Sequence, residues 1–390
     1  MNKILNKKLI ISIISSSAFI TVLTVAVIWL YLSNIDRLDI FHDAVNVKSI
    51  MGIILGFAIL SILGFSILLF ISSLMLIIAY AHYERNLKKY NGIEHDFALT
   101  GMFNCLISCL LLILLTSILY YIKLNSFIII SLFLLPSMFF SFFLTNNRIL
   151  KSRKYLSQDS NEEDSFLKKW STKYFMPFFL LTPAIAQVLP LFFLLQQFEV
   201  AEGSKEFTQA SLIIILALMY TMLSILPGTI YINEKKNGKI LRIITIILIC
   251  IPTTLAIFSI FIRPIPNMII NMTMNLSGIS DSRIHEFYID KKTHSHTMFN
   301  SALWSTRYYQ DIPNRFFITG VNIFTLGDIK LICPARIIAP RKASLKITPD
   351  NTNEYDRKIK QLKAIAMQCV PLNKNDIYTW DSPISDPIYY

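Results

Sequence analysis

The residues best equipped for chemistry sit late in the chain. His294-Ser295-His296 follows Asp290 closely, with His285 upstream, and imidazole together with carboxylate is a donor set that suits zinc. Two histidines one residue apart share a face on a strand, but on a loop they need not. Solvated loop histidines are the preferred reading, and no metal is assigned. Asp36, Asp39 and Asp43 place three carboxylates in one short segment, a grouping that a lipid-linked glycosyl transfer could use. Three acids in an exposed loop read more simply as polar surface. The sequence holds no H-E-x-x-H, G-x-S-x-G or P-loop pattern. No catalytic residue and no cofactor is therefore assigned, and the balance runs against an enzyme.

Two other groups could act without turnover. Tyr378, Trp380, Tyr389 and Tyr390 gather aromatics at the C-terminus among Asp and Pro; exposed tyrosine and tryptophan make good binding anchors, so these four are the candidate partner-binding residues. Of the five cysteines, Cys105, Cys109 and Cys250 fall in apolar runs and read as small packing residues. Cys333 and Cys369 fall on the inferred core faces of a strand and a helix and are the candidate disulfide. Closing their loop would stabilise by roughly 3–4 kcal/mol in the chain-entropy model.

The elements that must position these residues are dominated by the membrane. The 390 residues are 54% hydrophobic and 16% charged, with a mean hydropathy of +0.52, against about 25% charged in an ordinary soluble domain. Seven segments lack every Asp, Glu, Lys and Arg: 9–32, 50–81, 102–122, 127–145, 177–196, 210–232 and 243–262. Each has roughly the 20 apolar residues that a bilayer-spanning helix needs. The expected fold is thus a polytopic α-helical membrane protein of about seven transmembrane helices, residues 1–262, followed by a C-terminal extracytoplasmic α+β domain, residues 263–390. The first span, behind Lys3, Lys7 and Lys8, lacks a small-residue cleavage site and reads as an uncleaved anchor.

Orientation follows from the short loops. With the N-terminus inside, inner segments carry 17 Lys and Arg and outer loops carry 4, a strong positive-inside bias. It places the N-terminus in the cytoplasm and the tail outside, in a plasma membrane, with a bacterial inner membrane preferred. The net charge of +12 is then topology, and a nucleic-acid partner is excluded.

The spans themselves offer little to a coupled transporter. Pumps and proton relays carry ionisable residues within the membrane, and here the spans have none. A retinal Schiff base is excluded for want of a lysine. Pro177, Pro183, Pro190 and Gln187 leave a neutral-lined path through the last three spans as the alternative, a transporter or channel. The 50–81 run would make one helix of about 48 Å, longer than a core of about 30 Å, obliging it to tilt or project. Within it Gly52 and Gly56 form a G-x-x-x-G pair that permits close helix packing, in the same bundle or in a homo-oligomer.

In the tail, strands are expected at 283–290, 316–324, 329–333 and around Leu345 and Ile347, with a turn at Leu326-Gly327-Asp328. Helices are expected at 297–304 and from Asn353, the second burying Ile359, Leu362, Ala366 and Cys369. The functional expectation is an integral membrane binding or protection protein that presents its outer domain to an exported or incoming protein, immunity to a membrane-active toxin being its sharpest form. In layout alone it resembles the polytopic immunity proteins of bacteria.

Overall fold

The computed structural model describes residues 17–45, 48–87, 93–122, 125–151, 166–198, 206–235, 250, 252–259, 262–310, 312–346 and 352–381. The described residues are mostly helical and end in a small antiparallel sheet. The helices used below are α1 (Ser17–Asn34), α2 (Lys48–Leu69), α3 (Ile71–Leu87), α4 (Ile93–Tyr121), α5 (Ser126–Thr145), α6 (Phe166–Gln197), α7 (Glu206–Lys235), α8 (Pro264–Leu276), α9 (Ile338–Ser344) and α10 (Thr352–Ala366). Among the described residues five helices are long and apolar enough to cross a membrane: Met51–Leu69, Ile93–Leu119, Phe127–Leu150, Tyr174–Gln197 and Ala210–Lys235. They coincide with the second to sixth expected spans. The first span is described only from residue 17, and 243–249 of the seventh lie outside the described residues.

The 50–81 run is not one helix. It divides into α2 and α3 at Phe70, where Phe70 N still donates to Ser66 O and Leu74 N to Phe70 O. The two pieces have 22 and 17 residues, and within the run it is Met51–Leu69 that is long and apolar enough to cross a membrane.

The chain forms two compact units, residues 1–64 with 262–390, and residues 65–261. The second is a helical bundle packed on Leu76, Tyr80, Phe97, Cys105, Leu180, Ala184 and Ile225. Two of its prolines, Pro183 and Pro227, have hydroxyls at the break. Pro183 has no N–H for the carbonyl of Phe179, and Thr182 Oγ1 donates to that carbonyl at 2.7 Å instead. Beside Pro227, Gly228 N donates to Ser73 Oγ at 2.9 Å, and Ser73 Oγ donates onward to Ser224 O at 2.6 Å. A regular helix joins residues 224 and 228 directly. Here a serine hydroxyl from α3 is spliced into the ladder of α7, one of the recognised causes of a helix bend. A Cβ on Gly228 would lie 2.9 Å from both the Cα and the O of Ser73, so this crossing requires glycine.

The first unit is built on the order β4-β3-β2-β1-β5, all neighbours antiparallel: β1 is Ile284–Asp290, β2 Arg315–Leu326, β3 Ile329–Pro334, β4 Val370–Asn373 and β5 Ile377–Thr379. The expected hairpin is present. Gly327, at φ 63°, opens its two-residue loop, the left-handed position that this turn asks of glycine. One face of the sheet buries Phe287, Ile289, Phe316, Ile318 and Ile377 against Phe299 and Trp304. Another core joins Val321, Ile323, Phe324 and Leu331 to Leu362 and Ala366 of α10 and to Ile28, Tyr31 and Leu32 of α1. An N-terminal apolar helix and the C-terminal sheet thus share one core. The bulge between Asn322 and Phe324 helps: Tyr31 Oη donates to Ile323 O at 2.7 Å, satisfying a carbonyl that the interrupted ladder leaves over.

Two local expectations are corrected. Leu345 does not begin a strand but follows α9 as its C-cap, while Ile347 lies outside the described residues. The stretch 297–304 makes two short helical turns, His296–Met298 and Ser301–Trp304, separated at Phe299, whose ring goes into the core. β4 and β5 were not foreseen. Pro371 in β4 and only three residues in β5 leave them below the signal that alternation can carry.

Candidate functional site

The C-terminal aromatics stand on the sheet's edge. β5 pairs with β1 so that Tyr378 faces Tyr288. The two rings stack with centroids 5.0 Å apart and planes at 15°, and Trp380 meets Tyr288 edge-on at 5.9 Å. Arg315 places its guanidinium 4.5 Å above the Tyr288 ring, a cation–π contact, while its Nε reaches Asp290 at 3.3 Å. Tyr378 remains 46% exposed and Trp380 37%. The result is a preorganised aromatic slab whose rings are held by the strand beneath. Tyr389 and Tyr390 lie outside the described residues.

Behind the slab the chain is clasped. His285 Nδ1 lies 2.7 Å from Asp381 Oδ2 and Nε2 lies 3.0 Å from Asp281 Oδ2. Glu286 N donates to Asp381 Oδ1 at 3.1 Å, and Trp380 N donates to Glu286 O at 2.7 Å. The Arg283 guanidinium, with the Arg283 backbone amide, holds the Asp281 carboxyl well below the usual carboxylate range against the opposing effect of burial. Burial pulls Asp381 upward, yet the hydrogen bonds from His285 and the Glu286 amide outweigh it and leave its pKa lowered. Lys330 lies close by, its Nζ 4.7 Å from the Phe287 ring centroid and 3.2 Å from Thr379 Oγ1. Burial, then the nearby Lys374, lowers its pKa.

The histidines singled out as possible metal ligands are not brought together. His285 is taken by its two aspartates. His294 N donates to Asp290 O, and His296 packs edge-on to Tyr308. Among the described residues no three His, Cys, Asp or Glu side chains gather as metal ligands would.

The acids of the first loop do structural work. Asp36, at φ 59°, ends α1 in a Schellman arrangement: Arg37 N donates to Leu32 O at 2.9 Å and Asp36 N to Ser33 O at 3.2 Å. Arg37, 5% exposed, then reaches the far end of the chain. Its Nη1 donates to Cys369 O at 2.7 Å and Ala366 O at 3.3 Å, capping the C-terminal carbonyls of α10, where a cation is favoured. Asp39 accepts from Arg37 Nε and Nη2, which holds its carboxyl below the ordinary value. Asp43 lies in the short helix Phe41–Val45. Sequence reasoning weighed the acids and passed over the arginine. The arginine is the buried member, and nothing local marks it.

Arg341 of α9 is a second such residue, also buried. Its Nη2 donates to Asn271 Oδ1 and Ser280 Oγ, both at 2.9 Å, tying α8 and the start of the sheet together. The Cys333 and Cys369 sulfurs stand at disulfide-bonding distance, joining β3 to the residue just past α10. Among the described residues, Gly52 and Gly56 have nothing within 4 Å of an added Cβ. The close approach made possible by glycine occurs instead at Gly228, and at Gly101, where a Cβ would meet Leu76.

No protein-family model, no curated protein and no solved structure matches this chain. Its apolar helices are consistent with a bilayer environment. Beyond that class, function must be argued from the site.

Proposed function

We propose that this is an integral membrane protein that binds another protein outside the membrane and does not turn it over. The observation that carries the reading is the exposed Tyr378 and Trp380, stacked on Tyr288 at a sheet edge. Rigid aromatic rings bury large area at low entropic cost. In this reading the chain spans a bacterial inner membrane seven times, with a cytoplasmic N-terminus and residues 263–390 as a periplasmic or extracellular domain. The partner is an exported or incoming protein, and immunity to a membrane-active toxin is the sharpest form.

Two contacts support the orientation. The first outer loop reaches the tail through Arg37 and Cys369, as two segments on one side would. Lys235 Nζ meets Glu84 Oε2 at 2.7 Å, linking two segments that the charge bias puts inside. A phosphatase reporter after Tyr390 is expected to be active and one within 146–176 inactive; the reverse pattern overturns the topology. Full-length protein carrying Tyr378→Ala with Trp380→Ala is expected to lose partner capture, or protection, while keeping its thermal stability. Unchanged capture defeats the proposal.

A second reading, a transporter or channel with a neutral path, draws on two buried amides. Asn104 Nδ2 donates to Ser141 Oγ and Leu180 O, and Gln187 Nε2 donates to Thr221 Oγ1. Among the described residues the carbonyl oxygen of each is buried with no donor, leaving two acceptors that water or solute could use. Solute flux through liposomes that hold this protein alone would put this reading first.

A further inference from the structure

We infer that Asp281, His285 and Asp381 form a pH-operated clasp that holds β5 against β1 and lets it go in alkali. Both imidazole nitrogens face carboxylate oxygens, at 2.7 and 3.0 Å. A neutral imidazole has one N–H and one lone pair, so it can satisfy only one of the two aspartates and must turn a lone pair toward the other. Only the imidazolium donates to both. Charge-assisted hydrogen bonds are short and roughly twice as strong as neutral ones. Losing one proton therefore removes one such bond and replaces it with a repulsion.

The clasp bears on little else, which makes it a switch. β5 has three residues and, among the described residues, no neighbour in the sheet but β1. The stretch from Ile377 to Asp381 is secured to β1 by the strand pairing, by Trp380 N on Glu286 O, and by Asp381 on both Glu286 N and His285. Residues 285 and 381 are 96 apart in the chain, and the histidine is the titratable one of the two β1 groups that hold Asp381, the other being the Glu286 amide.

The charges around the ring are of both signs. Facing the imidazole are Asp281, from the segment before β1, and Asp381, beyond β5. Arg283 pairs with Asp281 at 2.9 Å. Lys330 of β3, with Lys374 near it, is within electrostatic reach of Asp381. Both aspartates have lowered pKa values, so they stay ionised in mild acid. The sign follows from the donor count: the clasp is complete while both ring nitrogens carry a proton and loses one bond when either proton is given up. The clasp stands whether or not the aromatic slab captures a partner; if it does, capture weakens as that proton is given up.

The test is amide hydrogen exchange on the full-length protein in nanodiscs at pH 6.0 and 8.5, corrected for intrinsic exchange. Protection across 377–381 is expected to fall on the order of tenfold at the higher pH relative to β2 and β3. His285→Gln, which does not titrate, is expected to show low protection at both pH values and no pH dependence. Asp381→Asn keeps an acceptor for the Glu286 amide and is expected to flatten the dependence. Should His285→Gln fail to fold, ¹⁵N spectra of the wild-type ring decide: two N–H groups at pH 6.0 support the clasp. A single N–H at pH 6.0, equal protection at both pH values, or a pH dependence that survives either substitution overturns it.

Discussion

Gly228→Ala offers a demanding test of the bundle, because two effects of opposite sign can be weighed. Gly228 lies inside α7, and replacing an interior helical glycine by alanine favours the helix by about 1 kcal/mol. Against that, the new methyl would stand 2.9 Å from Ser73 Cα and O. These are backbone atoms, so no rotamer change relieves the clash, and α3 and α7 must part. Forcing extra carbon into a packed contact costs typically about 1–3 kcal/mol. Parting the helices also stretches the two Ser73 hydrogen bonds at 2.9 and 2.6 Å, each worth about 1 kcal/mol. Setting both hydrogen bonds and the overpacking against the propensity gain, the net expectation is a loss of about 2–4 kcal/mol. Gly52→Ala and Gly56→Ala meet nothing within 4 Å among the described residues, so the propensity gain remains, and both are expected to be neutral or stabilising by up to about 1 kcal/mol. SDS-induced unfolding from bicelles, followed by far-ultraviolet circular dichroism, measures all three. A Gly228→Ala protein as stable as wild type would refute the spliced-ladder account. Destabilisation by Gly52→Ala or Gly56→Ala, with altered oligomer mass, would instead make that pair a contact between copies of the chain.

Arg37→Met removes the cap beyond α10 and takes from the Cys369 carbonyl its Arg37 donor, while the Ala366 carbonyl keeps the Cys369 amide at 3.0 Å; a loss of about 1–3 kcal/mol in the first unit is expected, read as faster amide exchange in α10, and an unchanged α10 would show the cap to be dispensable. Asp36→Gly relieves a left-handed residue at 59° and gives up only a partly exposed 3.5 Å pair with Lys363, so it should stabilise by about 0.5–1 kcal/mol, whereas Asp36→Val should destabilise. Cys333→Ser is expected to cost about 2–5 kcal/mol and to lower the unfolding midpoint of the tail without disturbing membrane insertion. Free thiols at both 333 and 369 in non-reducing mass mapping would reject the bond.

Much of this protein can be read locally. The charge-free runs, each about 20 apolar residues long, announce membrane helices because a bilayer imposes its thickness on any segment that crosses it, and five of them recur as long apolar helices. Alternation in 329–333 and the Leu326-Gly327-Asp328 signal predict the β2–β3 hairpin, because a strand's period and a turn's left-handed residue are properties of neighbours in sequence. The same periodicities put Cys333 and Cys369 on inward faces, and two inward cysteines that share a core come within bonding distance. What tertiary structure alone decides is which distant groups meet. His285 is joined to Asp381 across 96 residues, Tyr31 to Ile323 across 292, and Arg37 to Cys369 across 332. No local pattern distinguishes these from solvated residues of the same type. Gly228 and Gly52 are both glycines in apolar helices, and it is the backbone of Ser73, 2.9 Å from a Cβ at Gly228, that makes the first indispensable. A side chain's role at long range depends on the backbone brought against it, and that information resides in packing, not in spacing.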